Sequence, residues 1–190
     1  MVKIENLVYK PQTILAIDAS TNSLAFSLFD GKDLTMFGKI NFNGSNTYQK
    51  VVDAGAKVKA FMAAYNKPID AIVIEHTVFM NSPKTAADLA LVQGAILGAA
   101  GVSLIRSVAP ITWQNFIGNK KPSKEELAKI KLDNPGKSDS WIKTQVREAR
   151  KQKTIHFVDV QYGKVVPDND VADAIGIGHY AINNWERLTK

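Results

Sequence analysis

Apolar and polar positions alternate or cluster along this chain in a way that separates strands from helices. Residues 14–17 form an unbroken apolar run, and two further strand-like runs cover residues 24–29 and 34–42. The second and third runs are joined by Asp30-Gly31-Lys32-Asp33, whose Asp-Gly pair suits the unusual backbone angles of a tight hairpin turn. Over residues 47–65, Val51, Val52, Gly55, Val58, Phe61, Met62 and Tyr65 recur at helical spacing, and Lys67-Pro68 ends that helix. Residues 69–75 (IDAIVIE) are nearly continuously apolar, as in a central strand covered on both faces, and Glu75 stands at the C-terminal end.

A second helix is predicted over residues 85–100. It is rich in Ala and Gly, which lets another backbone approach closely. Packing against its own sheet is the expected use of those small residues, and a dimer face is the alternative. A fifth strand follows at 102–108, then a short helical turn at 110–118. Asn134-Pro135-Gly136 divides the next segment into two arms. The second arm, 138–153, reads as a helix capped by Ser138 or Asp139. The chain continues with the short run IHFVDV at 155–160, a loop, and a helix over about 169–187. The order βββαβαβ followed by helices describes a mixed five-stranded sheet flanked by helices, an α/β fold in one domain over residues 1–190.

Composition narrows the function. No apolar run approaches the ~20 residues of a membrane-spanning helix. There is no cysteine, so disulfides, thiolate metal sites and a cysteine nucleophile are excluded, and a reducing, cytoplasmic setting is expected. The net charge is +6, and all of it falls in one place. Residues 119–153 carry eleven Lys/Arg against five Asp/Glu, while the rest of the chain is balanced. Charge concentrated in this way suits a polyanion such as nucleic acid; a solvated Lys-rich helical insertion is the plainer alternative.

The carboxylates carry the chemistry. Asp18 follows the first strand and Glu75 ends the fourth, so parallel, adjacent strands would bring both to one sheet edge, where α/β folds build sites. Asp170 and Asp173 are three apart at the start of the last helix and share one of its faces. Each alone has a simpler explanation: Asp18 as a turn former, Asp170 as a helix cap. Together they form a candidate acidic cluster whose mutual repulsion calls for a cation. An all-oxygen donor set favours Mg²⁺ or Mn²⁺ over zinc, and two such ions would suit phosphodiester cleavage.

The stretches ILAIDAS, AIVIEHTVFM, LALVQGAILGAA and DNDVADAIGIGHYAI, in this order and spacing, resemble the RuvC family of Holliday junction resolvases, within the RNase H-like (retroviral-integrase-like) nuclease superfamily. The similarity runs from Ile14 to Ile182 and thins over 42–68 and 119–153. It implies an RNase H-like fold in which Asp18, Glu75, Asp170 and Asp173 are catalytic metal ligands for two ions. Asp18 would bridge both ions. It further implies a homodimer that nicks four-way DNA symmetrically and leaves 5′-phosphate and 3′-hydroxyl ends. Phe79 lies four residues after Glu75, where bacterial members carry a junction-wedging aromatic at three. The stretch 118–139 is longer than in bacterial members, which suggests a phage or otherwise divergent representative.

On this reading the basic insertion at 119–153 neutralises DNA phosphates through Lys120, Lys121, Lys124, Lys143, Arg147, Arg150 and Lys151. Trp113, Trp141 and Tyr162 are candidates for base stacking, with core packing the better expectation for Trp113. His76, His156 and His179 are expected to be structural. The first hairpin also resembles the phosphate-binding hairpin of the actin, Hsp70 and sugar-kinase superfamily, but 190 residues leave room for only one of the two halves such ATPases need, and Gly176-Ile177-Gly178 lies mid-helix. The remaining alternatives are a ribonuclease acting on RNA–DNA hybrids and a module that binds branched DNA without cutting it.

Overall fold

The computed structural model describes residues 10–76 and 82–188. Five strands make one mixed sheet: β1 (Thr13–Ala19), β2 (Ser23–Asp30), β3 (Asp33–Asn41), β4 (Ala71–Glu75) and β5 (Ile105–Val108), in the order β3-β2-β1-β4-β5. β1 to β3 form an antiparallel meander. Its β2–β3 turn places Gly31 at a φ of 59°, a left-handed conformation that glycine adopts without a Cβ clash. β4 runs parallel to β1, and β5 parallel to β4. The parallel connections are made by α1 (Thr47–Tyr65) and α2 (Pro83–Ala100), because parallel neighbours cannot be joined by a tight turn.

Strand alternation sorts the core into two faces. Leu15, Ile17, Ile72 and Ile74 point to one side and pack with Val58, Val92 and Ile96 of α1 and α2. Ile14, Ala16, Ala71 and Val73 point to the other and pack with the last helix, α6 (Asn169–Asn183). Before α6 come α3 (Pro110–Phe116), α4 (Lys124–Asp133) and α5 (Asp139–Tyr162).

Several expectations change. In α1, Val52 is exposed although it belongs to the apolar pattern; Ala54 takes a buried place instead. In α2 Val92 and Ile96 meet the sheet side, while a Cβ at Gly94 or Gly98 would touch nothing within 4 Å. The small residues therefore do not serve sheet packing as a group. The run at 155–160 is not a separate element. α5 continues through it to Tyr162 and stops at Gly163, whose φ of 61° ends the helix. Ile142, Thr154 and Val158 are its buried residues, and no Gly or Pro interrupts the helical repeat before Gly163. The final helix ends at Asn183, and a short 3₁₀ turn covers Trp185–Arg187.

α6 lies flush on the sheet at Gly178 and against α3 at Gly176, because neither residue has a side chain. A Cβ at Gly178 would sit 2.3 Å from the buried Phe29 ring, and one at Gly176 would sit 2.7 Å from the Trp113 ring. The Ser27 hydroxyl donates to the Ala174 carbonyl at 2.8 Å and fixes the depth of the helix. Gly176-Ile177-Gly178 is thus a close-packing device and not a phosphate loop. The described helices include none long and apolar enough to cross a membrane.

Candidate active site

The parity that builds the core also places the carboxylates. Asp18 is two residues beyond Ala16, and Glu75 two beyond Val73, so both emerge on the α6 face. The β1–β4 register pairs Ile17 with Ile74, which sets Asp18 beside Glu75 at the C-terminal edge of parallel strands. α6 supplies Asp170 and Asp173 from its first turns.

These groups are close enough to change one another's acidity. Burial first, then Asp173 and Asp170, together lift Asp18 to about 7 against the opposing pull of Lys39. Burial likewise raises Glu75 to about 7, with Asp18 adding to the rise and a hydrogen bond from Trp113 opposing it. Asp173 reaches about 7 by burial first and by Glu75 second, while Thr154 and Arg150 favour its charged form. Three partly buried acids that resist losing their protons near neutrality form a site whose charge a cation would offset.

Other side chains hold these carboxylates in place. The indole Nε1–H of Trp113 donates to Glu75 Oε2 at 2.6 Å. Trp113 is fully buried, as its core role predicts, and the missing Cβ of Gly176 makes its seat. The N-cap of α6 is Asp168 rather than Asp170: its Oδ1 accepts from the backbone N–H groups of Asp170 and Val171. Asp170 is then free to face the site.

Lys39 is the most consequential residue that the sequence did not reveal. The sheet register aligns Asp18 with Ala25 and Ala25 with Lys39, so Lys39 lies in the same row as Asp18, two strands away. Its ammonium meets Asp170 Oδ2 at 2.5 Å and Asp168 Oδ2 at 3.0 Å. The hydrogen bonds to Asp170 and Asp168 raise its pKa despite the opposing effect of partial burial. Asp168 is also partly buried, yet Lys39 and the backbone N–H groups hold its carboxyl below the usual range. Alternation along β3 was the available signal, but it required knowing that β2 separates β3 from β1.

Among the described residues, no group of three or more His, Asp or Glu side chains is arranged to hold a metal ion. The contacts above supply a reason: Lys39 occupies Asp170, and Trp113 occupies one oxygen of Glu75. The donor set itself is oxygen-only and electrostatically frustrated, which fits a hard divalent cation once the side chains turn inward.

The basic insertion lies against this site. Lys121, Lys143, Arg147, Arg150 and Lys151 line a cleft of about 540 Å³ that also contains Asp170 and Asp173. Lys120 and Lys124 are exposed but do not line it. Arg150 is tied to Gln114 Oε1 at 2.5 Å and the Asn119 carbonyl at 3.2 Å, so it braces α5 against the loop after α3. Phe79 lies outside the described residues.

Of the remaining candidates, Tyr162 and His179 are packed together. Tyr162 bonds His179 Nδ1 at 2.6 Å and stacks edge-on with Phe29, which removes Tyr162 as a base-stacking platform. Burial holds His179 below its usual pKa, in keeping with a neutral ring. Trp141 sits partly exposed under Lys137, whose ammonium is 5.3 Å from the ring centre. His76 and His156 are exposed.

No family model and no curated protein matches this sequence. Solved structures do. RuvC from Thermus thermophilus in complex with Holliday junction substrate superimposes with a TM-score of 0.62 at 14% identity, covering 90% of this chain and 96% of that one. A second structure of Thermus thermophilus RuvC gives a TM-score of 0.61 at 15% identity, covering 93% and 98%. The yeast mitochondrial Holliday junction resolvase Ydc2 gives 0.50 at 10% identity, covering 93% and 80%. At these identities what is shared is architecture: the mixed five-stranded sheet with flanking helices is the RNase H-like fold of RuvC.

Proposed function

We propose that this protein is a structure-selective endonuclease that resolves four-way and other branched DNA. The observation that carries this reading is the convergence of Asp18, Glu75, Asp170 and Asp173 beside a cationic cleft, on a fold shared with RuvC. A cluster of carboxylates in which burial first and neighbouring carboxylates second raise Asp18, Glu75 and Asp173, and which opens onto Lys and Arg side chains, is suited to a phosphodiester and unsuited to an uncharged ligand.

Two Mg²⁺ ions, with Mn²⁺ able to replace them, would supply an activated water and stabilise the leaving oxygen. Asp18, between Glu75 on one side and the α6 pair on the other, is the ligand both ions would share. Trp113 fixes the orientation of Glu75 through its indole N–H. Lys39 holds Asp170 and brings a positive charge to the edge of the carboxylates, where it would meet a phosphate oxygen. Lys143, Arg147 and Lys151 hold the DNA backbone next to the site. Cutting would leave 5′-phosphate and 3′-hydroxyl ends, and a homodimer would present two such sites to one junction.

The test is incubation of labelled four-way, forked, RNA–DNA hybrid and linear substrates with Mg²⁺, followed by mapping of the nicks. Paired nicks in the four-way substrate are expected, and cleavage restricted to the hybrid would reassign the chain as a ribonuclease. Asp18→Asn or Asp173→Asn should lower cutting by about a thousandfold or more while leaving junction binding within about twofold, since the basic insertion supplies the affinity. Mg²⁺-dependent cleavage retained by both variants refutes the assignment. Light scattering with and without junction DNA checks the dimer.

A further inference from the structure

The cleft beneath the basic insertion has a composition that phosphate binding alone does not explain. Its cationic members Lys143, Arg147 and Lys151 share α5 with the apolar Ile142 and Val146, and Pro122 and Leu127 add to the apolar wall from the α4 side. The cleft ends on Asp170 and Asp173, so whatever fills it is continuous with a group at the carboxylates. A space of about 540 Å³ is the size of a small-molecule pocket, so it suits one nucleotide and not a paired duplex. Phosphate contacts to duplex DNA need a charged surface and no apolar recess. An unpaired nucleotide needs both, since its phosphate seeks cations and its base seeks an apolar slot.

A second observation comes from hydrogen bonding. Among the described residues, three buried side-chain polar atoms lack a partner: Asn119 Oδ1, Arg150 Nε and Asn169 Oδ1. All three residues line this cleft. Buried polar groups are nearly always paired, so two unmet acceptors and one unmet donor, brought to this cleft by the loop after α3, by α5 and by the start of α6, indicate polar capacity that a ligand seated among them would satisfy. A base edge presents donors and acceptors of that kind. An acidic peptide would use the cations but not the apolar side, and a lipid would need a broad exposed apolar surface in place of a small cleft lined largely by cations.

We infer that the cleft between α4, α5 and the N-terminal turn of α6 takes up one unpaired nucleotide of the cut strand, adjacent to the phosphate at Asp170 and Asp173. The inference rests on the proposed nuclease reading and deepens it. Selectivity for branched DNA then comes from the strand itself: only a nucleotide freed from its partner, as at a crossover or fork, can enter while the neighbouring phosphate reaches the carboxylates.

Val146→Trp narrows the cleft from α5, and Leu127→Trp narrows it from α4, a helix with no buried residue, so folding is not at risk in the second variant. Binding is measured without divalent ions, by anisotropy, to a four-way junction, to a duplex bearing one unpaired nucleotide, and to a fully paired linear duplex. A 2-aminopurine placed at successive positions beside the branch point reports unstacking. Wild type should prefer the two interrupted substrates and brighten one 2-aminopurine position. Each Trp variant should lose about fivefold to a hundredfold of that preference, the worth of one stacked base. The salt dependence should stay unchanged, because no phosphate contact is removed. Unaltered preference in both variants, or a 2-aminopurine that stays stacked at every position, overturns the inference. Wild type that captures the nucleotide yet cuts no substrate would overturn the nuclease reading and leave the cleft standing. Normal cutting of junctions by both Trp variants would do the reverse.

Discussion

The acidic half of the site and the basic arm beside it are built by opposite means. Asp18, Glu75 and Asp173 stand on strands and a helix locked by close contact: α6 rests on the sheet through the missing Cβ of Gly178, and Trp113 of α3 fills the gap left at Gly176. α4 buries no residue at all, leaves Leu132 80% exposed, and is tied to α5 by a Lys131–Asp139 ion pair of 2.8 Å between partly exposed side chains. The difference follows from the tasks. Ligands for small, geometrically demanding cations must be held to fractions of an ångström, which only a packed scaffold provides. Charges that attract a phosphate backbone act over ~10 Å and tolerate movement.

Packing substitutions should separate the two regions most sharply. Gly178→Ala drives a methyl group into the fully buried Phe29 ring and should cost about 1–3 kcal/mol in denaturant unfolding. Leu132→Ala on α4 should change stability by less than about 0.5 kcal/mol. Equal losses would mean that α4 is as firmly packed as α6.

A smaller effect is expected from the charges. Replacing Lys143 and Arg147 together with Ala should weaken junction binding about tenfold at moderate salt and reduce the slope of log affinity against log salt by about 2, with nick positions unchanged. A shifted cut site would show that these residues place the strand as well as attract it.

The smallest effect concerns pH. Asp18, Glu75 and Asp173 have pKa values of about 7 in the folded protein, against ordinary values of 3.8 for Asp and 4.5 for Glu. The folded state therefore holds protons that the unfolded chain releases between about pH 4 and pH 7. Their contribution to stability is fully present below about pH 4 and is lost as pH rises through about 7. The Tm of the metal-free protein should accordingly fall across that window. At pH 8, Asp18→Asn should melt about 2–6 °C above wild type, and millimolar Mg²⁺ should raise wild type but not the variant. A Tm that climbs from pH 5 to pH 8 without metal contradicts the frustrated cluster.

Local pattern was enough for much of this molecule. The apolar runs located all five strands, and the helical repeat of residues 47–65 matches α1 from Thr47 to Tyr65. Strand-end positions put Asp18 and Glu75 at one sheet edge once their strands are taken as parallel neighbours, although the β1–β4 register that sets them side by side is a tertiary fact. The i,i+3 spacing puts Asp170 and Asp173 on one helix face. The end of α5 was misplaced because its charged and apolar halves look like different elements until Val158 is seen to be buried.

What only the tertiary structure decided are the contacts between residues far apart in sequence. Lys39 reaches Asp170 across 131 positions, and Trp113 reaches Glu75 across 38. The glycines of α6 read as a mid-helix oddity until Phe29 and Trp113 are seen against them. The cleft exists only because α5 folds back over α6. A sequence records which side chains are available and which face of their own element they occupy. Which of those faces meet is set by the packing of the whole chain, and no local period encodes it.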